Sequence, residues 1–199
     1  FIGSVYEFKT LRSKDFLPLF HPQARFTDDT VCTVAIADAL VRGTDPQATL
    51  IEWCRCYSEN GGWGKRFAEW FMDDNPQPYG SWGNGAAMRI SPVGLLATSE
   101  DEAISWADAA TAITHNHPEG IASARAVALA IFWARHKAPA QVIGQRLTER
   151  FGYDLSITPD DIRPAYTRTE RAAGSVPQAI ICALQSTSYE DAIRNAVSI

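Results

Sequence analysis

The sequence lacks the features that define several large classes of protein. Its longest apolar stretches, such as residues 126–134, fall well short of the roughly 20 residues that span a bilayer. Eighteen basic residues against 23 acidic ones give a net charge of −5 without a basic cluster, which argues against general affinity for nucleic acid. No targeting segment is visible. We therefore expect a soluble, cytoplasmic protein whose partner is neither a membrane nor an unmodified nucleic acid.

Cysteine is also scarce and is not arranged for a disulfide framework or a zinc site. The four cysteines are scattered through apolar helical contexts, as expected for reduced, buried thiols. No Gly-x-Ser-x-Gly elbow occurs, and no cysteine stands in a recognisable catalytic setting. The sequence therefore favours carboxylate chemistry over nucleophilic catalysis by serine or cysteine. The cysteines are Cys32, Cys54, Cys56 and Cys182.

Strictly alternating polar and apolar residues are absent over any useful length, whereas helical periodicity is common along the chain. Proline and glycine interrupt this periodicity where helices are expected to end. The pattern predicts an all-α fold with no internal domain boundary. The predicted helices cover residues 30–41, 45–57, 64–71, 86–97, 100–111, 118–135, 139–151, 176–185 and 188–197. A long ordered loop is predicted over residues 73–85, and loops of that length in compact domains are often functional.

Two adjacent acids, Asp28 and Asp29, follow Thr27 where an extended segment meets the first long helix. One interpretation is a helix N-cap, in which a hydroxyl or carboxylate accepts backbone amides and an acid favours the positive helix end. The other is a magnesium site, because adjacent carboxylates beside a hydroxyl supply the hard oxygen ligands that Mg²⁺ prefers. A metal would also remove the cost of holding two like charges together.

A glycine-rich segment leads into the helix predicted from residue 86, and we call residues 80–85 the glycine loop. Its glycines permit close backbone approach, and amides at a helix start favour an anion such as a phosphate. Trp82 is placed to stack on a base, the alternative being a surface turn with one buried tryptophan. The loop consists of Gly80, Ser81, Trp82, Gly83, Asn84 and Gly85.

His115 and His117 precede another long helix and are two residues apart. They lack the further ligands that a zinc site requires. Either histidine could donate a hydrogen bond to an anionic ligand, and a polar histidine without function at the start of a helix is equally common.

Four segments together resemble the ADP-ribosylglycohydrolase family, in the family's order and at familiar spacing. The Thr-Asp-Asp and Gly-Asn-Gly-x-x-Met-Arg elements are specific in combination, and the first segment is most similar to the branch that cleaves O-linked, including serine-linked, ADP-ribose. The segments are Gly3-Ser4-Val5-Tyr6-Glu7, Phe26-Thr27-Asp28-Asp29-Thr30, Gly80-Ser81-Trp82-Gly83-Asn84-Gly85-Ala86-Ala87-Met88-Arg89 and Thr114-His115.

This resemblance implies a compact orthogonal bundle of helices with two Mg²⁺ ions in a central cleft. It assigns Thr27, Asp28 and Asp29 to the first metal-binding segment, with both aspartates also catalytic. Glu7 matches an acidic residue on a mobile flap near the scissile bond. The glycine loop matches the segment around the distal ribose, pyrophosphate and adenine, with Trp82 stacking on the base, and His115 matches a histidine that lines the same cleft.

The family's second metal-binding segment, a Gly-Gly-Asp-x-Asp-Thr run, has no counterpart in these 199 residues. The helix that normally precedes the Gly-Ser-x-Tyr-Glu segment is missing as well. We therefore expect residues 1–199 to form a single domain that is incomplete at both ends. A naturally shortened relative is the alternative, in which the second ion would lose most of its ligands.

The expected function is Mg²⁺-dependent hydrolysis of the ribosyl bond in an ADP-ribosylated protein or an ADP-ribose derivative, reversing ADP-ribosylation. Nucleic acid is expected only as an ADP-ribosylated substrate. Two other interpretations stay open: a non-catalytic ADP-ribose-binding protein, and a helical structural protein recruited from the family, as lens crystallins have been.

Overall fold

The computed structural model describes residues 1–9 and 11–199. Over those residues the chain forms eleven α-helices and two 3-10 helices, and no strand beyond one isolated bridge between Gly83 and Arg171. This confirms the predicted all-α class. The 3-10 helices are Ile2–Val5 and Ser58–Asn60. The α-helices are α1 (Asp28–Arg42), α2 (Pro46–Cys56), α3 (Lys65–Met72), α4 (Gly85–Met88), α5 (Ser91–Leu96), α6 (Glu100–Ala112), α7 (Pro118–Arg135), α8 (Ala140–Phe151), α9 (Pro159–Ile162), α10 (Ala172–Leu184) and α11 (Tyr189–Ser198).

The helix boundaries follow from local capping chemistry. The Asp45 carboxylate accepts the amide of Ala48 at the start of α2, and Ser99 accepts the amide of Glu102 at the start of α6. Helices α1 and α8 end at glycines with left-handed backbones, Gly43 at φ 65° and Gly152 at φ 72°. Such C-caps favour glycine because a Cβ strains this conformation.

Helix α7 lies at the centre of the molecule and packs against α4, α5, α6, α8 and α10. Its sequence is apolar around most of its circumference, and the small side chains let neighbouring helices approach closely. The main core forms around it, with Leu129, Phe132 and Trp133 buried from α7 itself. This central helix therefore organises the larger part of the fold.

A second, more aromatic cluster lies between α1, α2 and α3. Phe67, Trp70 and Phe71 of α3 pack there against Leu50 of α2. The Phe67 and Trp70 rings stack with centroids 5.6 Å apart, an arrangement that adds to the stabilisation from burial. This cluster supports α1, the helix that begins with the predicted acid pair.

The N-terminal segment packs against the C-terminal helix. Arg194 of α11 donates to the carbonyl oxygens of Lys14 and Phe16, at 2.8 and 2.9 Å. Lys14 also pairs with Asp191 of the same helix. Residues distant in sequence thus hold the segment that follows Glu7.

Two predicted helices differ from the observed ones by more than two residues at an end. The helix predicted over residues 86–97 is two helices, α4 and α5, because Pro92 lacks an amide hydrogen and its ring would clash with the carbonyl four residues earlier. The helix predicted from residue 176 starts at Ala172, and Pro177 lies inside it. The predicted loop is confirmed, since no helix occupies residues 73–84.

Within the described part of the chain, no helix combines the length and the apolarity that a membrane crossing requires.

Candidate functional site

Thr27 is the N-cap of α1, yet its side chain makes no capping hydrogen bond. Its backbone is extended, with φ −124° and ψ −171°, and its hydroxyl donates to Oδ2 of Asp29 at 3.2 Å. Thr27 is 9% exposed, so this hydroxyl is largely shielded from water. The side chains of Thr27, Asp28 and Asp29 therefore lie together at the start of α1. The Thr27 hydroxyl is not used to cap the helix.

The carboxyl of Asp28 is half-buried, and its pKa is raised to about 7. Burial is the main cause, because it disfavours the charged form. The neighbouring charge of Asp29 adds to the shift, and Glu7 adds further, although the amides of Asp28 and Asp29 partly oppose it. The structure thus brings Asp29 and Glu7, the other two predicted catalytic acids, within electrostatic range of Asp28.

We call the side chains of Thr27, Asp28 and Asp29 the acid cluster. Gly62 lies directly against this cluster, and the sequence analysis did not predict its role. A Cβ placed on Gly62 would lie 2.9 Å from Oδ1 of Asp28, and the backbone of Gly62 has φ 84°. Only glycine fits both the conformation and the space. The adjacent glycines Gly61 and Gly62 could have indicated a turn with an unusual backbone conformation. The contact between Gly62 and Asp28 could not have been predicted, because it depends on the tertiary fold.

The donor set of the acid cluster suits a hard cation. Thr27, Asp28 and Asp29 offer one hydroxyl and two carboxylates, and Mg²⁺ is usually held by one or two carboxylates together with water and substrate oxygens. Over residues 1–9 and 11–199, no group of three or more histidine, cysteine or acidic side chains is arranged to hold a metal ion. The cluster is therefore chemically suited to magnesium but provides only part of a coordination sphere.

Glu7 also forms an ion pair that the sequence did not predict. Its Oε1 lies 3.3 Å from Nη2 of Arg168, and the Arg168 guanidinium stands over the Phe8 ring at 4.8 Å. Glu7 thus faces both the acid cluster and a basic residue from the segment between α9 and α10.

The glycine loop is held on one side by the segment that leads into α7. The amide of Gly80 donates to Oδ1 of Asn116 at 2.6 Å, and the amide of Ser81 donates to the carbonyl of Thr114 at 3.3 Å. A Cβ at Gly120, in the first turn of α7, would lie 2.9 Å from the Ser81 carbonyl oxygen. The loop therefore approaches α7 more closely than a side chain there would allow.

On its other side, the glycine loop pairs with the segment that begins α10. Asn84 donates its amide to the Glu170 carbonyl at 2.8 Å, and Ala172 donates to the Trp82 carbonyl at 3.1 Å. Glu119 of α7 secures this segment, because its carboxylate accepts the amide of Ala173 at 3.0 Å and pairs with Arg171. The loop is thus an ordered part of the fold.

Trp82 projects from the glycine loop with 52% of its surface exposed. A large aromatic side chain is usually buried when it serves packing alone. The buried-tryptophan alternative is therefore wrong, and the indole is free to contact a ligand.

His115 is buried beside the glycine loop. Its Nδ1 lies 2.7 Å from the Thr114 hydroxyl, and its pKa is lowered to about 3 by burial and by the charge of Arg89. The imidazole is therefore neutral at physiological pH. Its Nε2 faces the loop, since a Cβ at Gly85 would lie 3.0 Å from that atom. His117, in contrast, caps α7 by accepting the amide of Glu119.

Helices α1 and α4 connect the acid cluster to the glycine loop. The Thr33 hydroxyl of α1 donates to the Asp29 carbonyl at 2.7 Å and also lies 3.3 Å from the Met88 carbonyl of α4. A hydrogen bond with Cys54 and burial raise the pKa of Cys32, and this thiol also lies within electrostatic range of both Asp28 and Arg89. The two groups of predicted residues thus lie on adjoining elements of one region.

The fold described above also occurs in a known structure. No curated protein matches the chain. A solved structure described as "ADP-ribosylglycohydrolase-related protein complex" shares the fold with a TM-score of 0.71 at 19% identity, covering 96% of this chain and 71% of that one. The family model for ADP-ribosylglycohydrolase matches residues 1–199. A match over the entire chain establishes that it belongs to the ADP-ribosylglycohydrolase family.

Proposed function

We propose that the protein is a Mg²⁺-dependent hydrolase that cleaves the ribosyl glycosidic bond of an ADP-ribosylated protein or an ADP-ribose derivative. The observation that carries this proposal is the acid cluster beside Glu7, in which burial and the charges of Asp29 and Glu7 raise the pKa of the half-buried Asp28. Like charges held together at a protected helix start are costly unless a cation or a reacting group uses them. Family membership supports the same class of reaction.

Different residues of the chain would bind the metal ion and the nucleotide, and the bound ion would orient the sugar. Thr27, Asp28 and Asp29 would hold the ion. When bound, Mg²⁺ supplies positive charge that orients ribose hydroxyls and polarises water. Trp82 offers an exposed ring for stacking on the adenine, and the glycines of the loop would let a phosphate approach the backbone closely.

Glu7 is the proposed acid–base group at the scissile bond. Cleavage of a ribosyl bond passes through an oxocarbenium-like state, so a carboxyl group near the leaving atom can transfer the proton that the reaction requires. The ion pair with Arg168 restrains the side chain of Glu7 on the side of the acid cluster. The Gly3-Ser4-Val5-Tyr6-Glu7 segment favours O-linked ADP-ribose, including the serine-linked form, as the substrate.

The decisive experiment compares Asp28→Asn and Asp29→Asn in the complete protein. Each variant should lose release of ADP-ribose from a modified peptide while its circular dichroism stays unchanged. Asp101→Asn, an exposed acid in the first turn of α6, is the matched control and should keep full activity. Full activity in either cluster variant would refute the assignment.

A non-catalytic ADP-ribose-binding protein is the second candidate. The observation in its favour is that the described residues do not form a complete metal-binding group. Calorimetry with ADP-ribose in Mg²⁺ and in EDTA separates the two functions. Equal affinity in both solutions, without turnover of a modified peptide, would favour the binding protein.

A further inference from the structure

Arg89 is a buried cation without an acidic partner. It follows directly after the short helix α4, is 1% exposed, and forms no ion pair with any residue that the structure describes. Its Nη2 donates to the Ala110 carbonyl at 2.9 Å and to the Thr114 hydroxyl at 2.7 Å. Burying a guanidinium is costly unless its hydrogen bonds are used. The buried guanidinium of Arg89 is therefore expected to have a role other than packing.

Only one set of directions satisfies every hydrogen bond of the Thr114 hydroxyl. A guanidinium cannot accept a hydrogen bond, so the Thr114 oxygen accepts from Arg89. The single hydroxyl hydrogen of Thr114 has no other acceptor among the described residues, so it donates to Nδ1 of His115, 2.7 Å away. The reverse direction would leave this buried hydroxyl hydrogen unpaired. Nδ1 of His115 is therefore an acceptor, and a neutral imidazole in that state carries its one proton on Nε2.

The Nε2 atom of His115 faces the glycine loop and has no hydrogen-bond partner among residues 1–9 and 11–199. The absence of a side chain at Gly85 leaves room beside this atom, because a Cβ there would lie 3.0 Å from it. A fixed N–H donor therefore points at the surface that the proposed function assigns to ADP-ribose.

We infer that Thr114 and Arg89 are positioning residues, which hold His115 as an Nε2–H donor toward an oxygen atom of a ligand on the glycine loop. This inference rests on the proposed function for the identity of that ligand. The charge of Arg89 contributes twice, by orienting the Thr114 hydroxyl and by opposing protonation of His115. The imidazole then binds as a neutral donor of fixed direction.

The tautomer of His115 can be measured without any ligand. Protein labelled with ¹⁵N-histidine contains four histidines, and the His115→Gln variant identifies the signals of His115 in long-range ¹H–¹⁵N correlation spectra. At pH 7 the unmodified protein should show a bare Nδ1 and a protonated Nε2. A protonated Nδ1 would overturn the inference, and this measurement does not depend on the folding of any Thr114 variant.

Two substitutions at Thr114 separate the hydrogen bond from the volume of the side chain. Thr114→Val keeps the shape and removes the hydroxyl, so Nδ1–H should become populated and ADP-ribose affinity should fall about tenfold. Thr114→Ser keeps the hydroxyl and should preserve both the spectrum and the affinity. Loss of affinity in Thr114→Ser equal to that in Thr114→Val would overturn the positioning role.

A double variant tests whether Thr114 acts through His115. Thr114→Val should cost no further affinity in the His115→Gln background, because the side chain that it positions is already gone. Additive losses would overturn the inference. If the unmodified protein fails to bind ADP-ribose, the proposed function is wrong, and so is the ligand assigned to Nε2. The tautomer spectra need no ligand and still test the hydrogen bonds from Arg89 through Thr114 to His115 independently.

Discussion

The carboxyl of Asp28 lies in the first turn of α1, between Asp29 and the backbone of Gly62. The positive end of a helix stabilises an anion by about 0.3–1 kcal/mol. The pKa of Asp28 is nevertheless raised to about 7, so burial and the neighbouring acids outweigh the helix dipole and the local amides. A divalent cation at this position would reverse that balance, because it favours the ionised carboxylate.

Magnesium should therefore stabilise the folded protein through Asp28. At a concentration about 100 times its Kd, a ligand that binds only the folded state adds about 2.7 kcal/mol. We expect the melting temperature to rise with Mg²⁺ and to fall back on addition of EDTA, as measured by scanning calorimetry. Asp28→Asn should lose this response, whereas Asp101→Asn should keep it. A response of equal size in both variants would place the ion elsewhere.

The close contact between α5 and α7 depends on one glycine. A Cβ at Gly94 would lie 2.4 Å from the Ala128 carbonyl oxygen and 2.7 Å from Cβ of Ile131. Both atoms belong to the central helix or its rigid side chains, so neither can move cheaply. The position therefore sets the distance between two helices of the main core.

Gly94→Ala should lower the free energy of unfolding by about 2–3 kcal/mol, because overpacking forces α5 and α7 apart. Urea denaturation measures the change. Gly144→Ala in α8 is the matched control: its new Cβ would meet only Cδ1 of Leu184 at 3.7 Å, an ordinary contact. Alanine is also the better helix former, so this control should gain about 0.5–1 kcal/mol. Equal destabilisation by both substitutions would contradict the packing argument.

Glu119 connects α7 to the segment that supports the glycine loop, and its side chain is only 18% exposed. The hydrogen bond from Arg171 and the amide of Ala173 lower the pKa of this carboxyl. A lowered pKa stabilises the fold above the ordinary pKa of the group, and that contribution is lost as pH falls through the lowered value.

Glu119→Gln should therefore reduce stability by about 1 kcal/mol at pH 7. The difference from the unmodified protein should shrink as the pH falls below the ordinary pKa of a glutamate and through the lowered pKa of Glu119, where this carboxyl becomes protonated. Hydrogen exchange at Asn84 and Ala172 should accelerate in the variant. Glu52→Gln, at an exposed position of α2, should change neither property. A stability difference that persists at pH 2 would rule out the charge as its cause.

Sequence periodicity predicted the long helices well, because each buries a continuous apolar face. The central helix was predicted with its observed bounds, Pro118–Arg135. The single-turn helix α9 was missed, since four residues carry no periodicity. The helix predicted over residues 176–185 put Pro177 in its first turn, whereas this proline lies inside α10. The preference of proline for helix starts is a local rule, and tertiary packing overrides it here.

Only part of the candidate site was predicted, because local sequence patterns reveal only residues that are close together in the chain. Residues close in sequence, such as Thr27, Asp28 and Asp29, carried their own signal. The contacts of Asp28 with Gly62 and of Glu7 with Arg168 join distant segments, and no local pattern reveals them. Arg89 was quoted only within a family motif, because an arginine is normally expected at the surface.

At the scale of the whole molecule, the first and last parts of the described chain support each other. Arg194 of α11 binds two carbonyl oxygens of residues 14–16, and its guanidinium lies 4.9 Å from the centre of the Phe16 ring. Arg12 donates to the carbonyl of Tyr166 at 2.6 Å. The position of Glu7 therefore depends on helices that contribute nothing else to the candidate site.

Arg194→Met should loosen this N-terminal segment while keeping most of the side-chain volume. We expect the free energy of unfolding to fall by about 1–3 kcal/mol, because two buried carbonyls lose a charged donor. Limited trypsin digestion, followed by mass spectrometry, should show faster cleavage after Lys9 or Arg25. Arg42→Met, which breaks only an exposed pair with Asp38, is the control and should leave this cleavage unchanged. Unaltered cleavage in Arg194→Met would show that the segment is held by other contacts.

The exposure of Trp82 allows ligand binding at the glycine loop to be followed in solution by fluorescence. Of the six tryptophans, all of them in the described part of the chain, only Trp82 is exposed. A soluble quencher such as iodide therefore reaches one indole preferentially. A nucleotide stacked on that ring would shield it, so the accessible share of the fluorescence is an intrinsic optical signal for occupancy of the glycine loop.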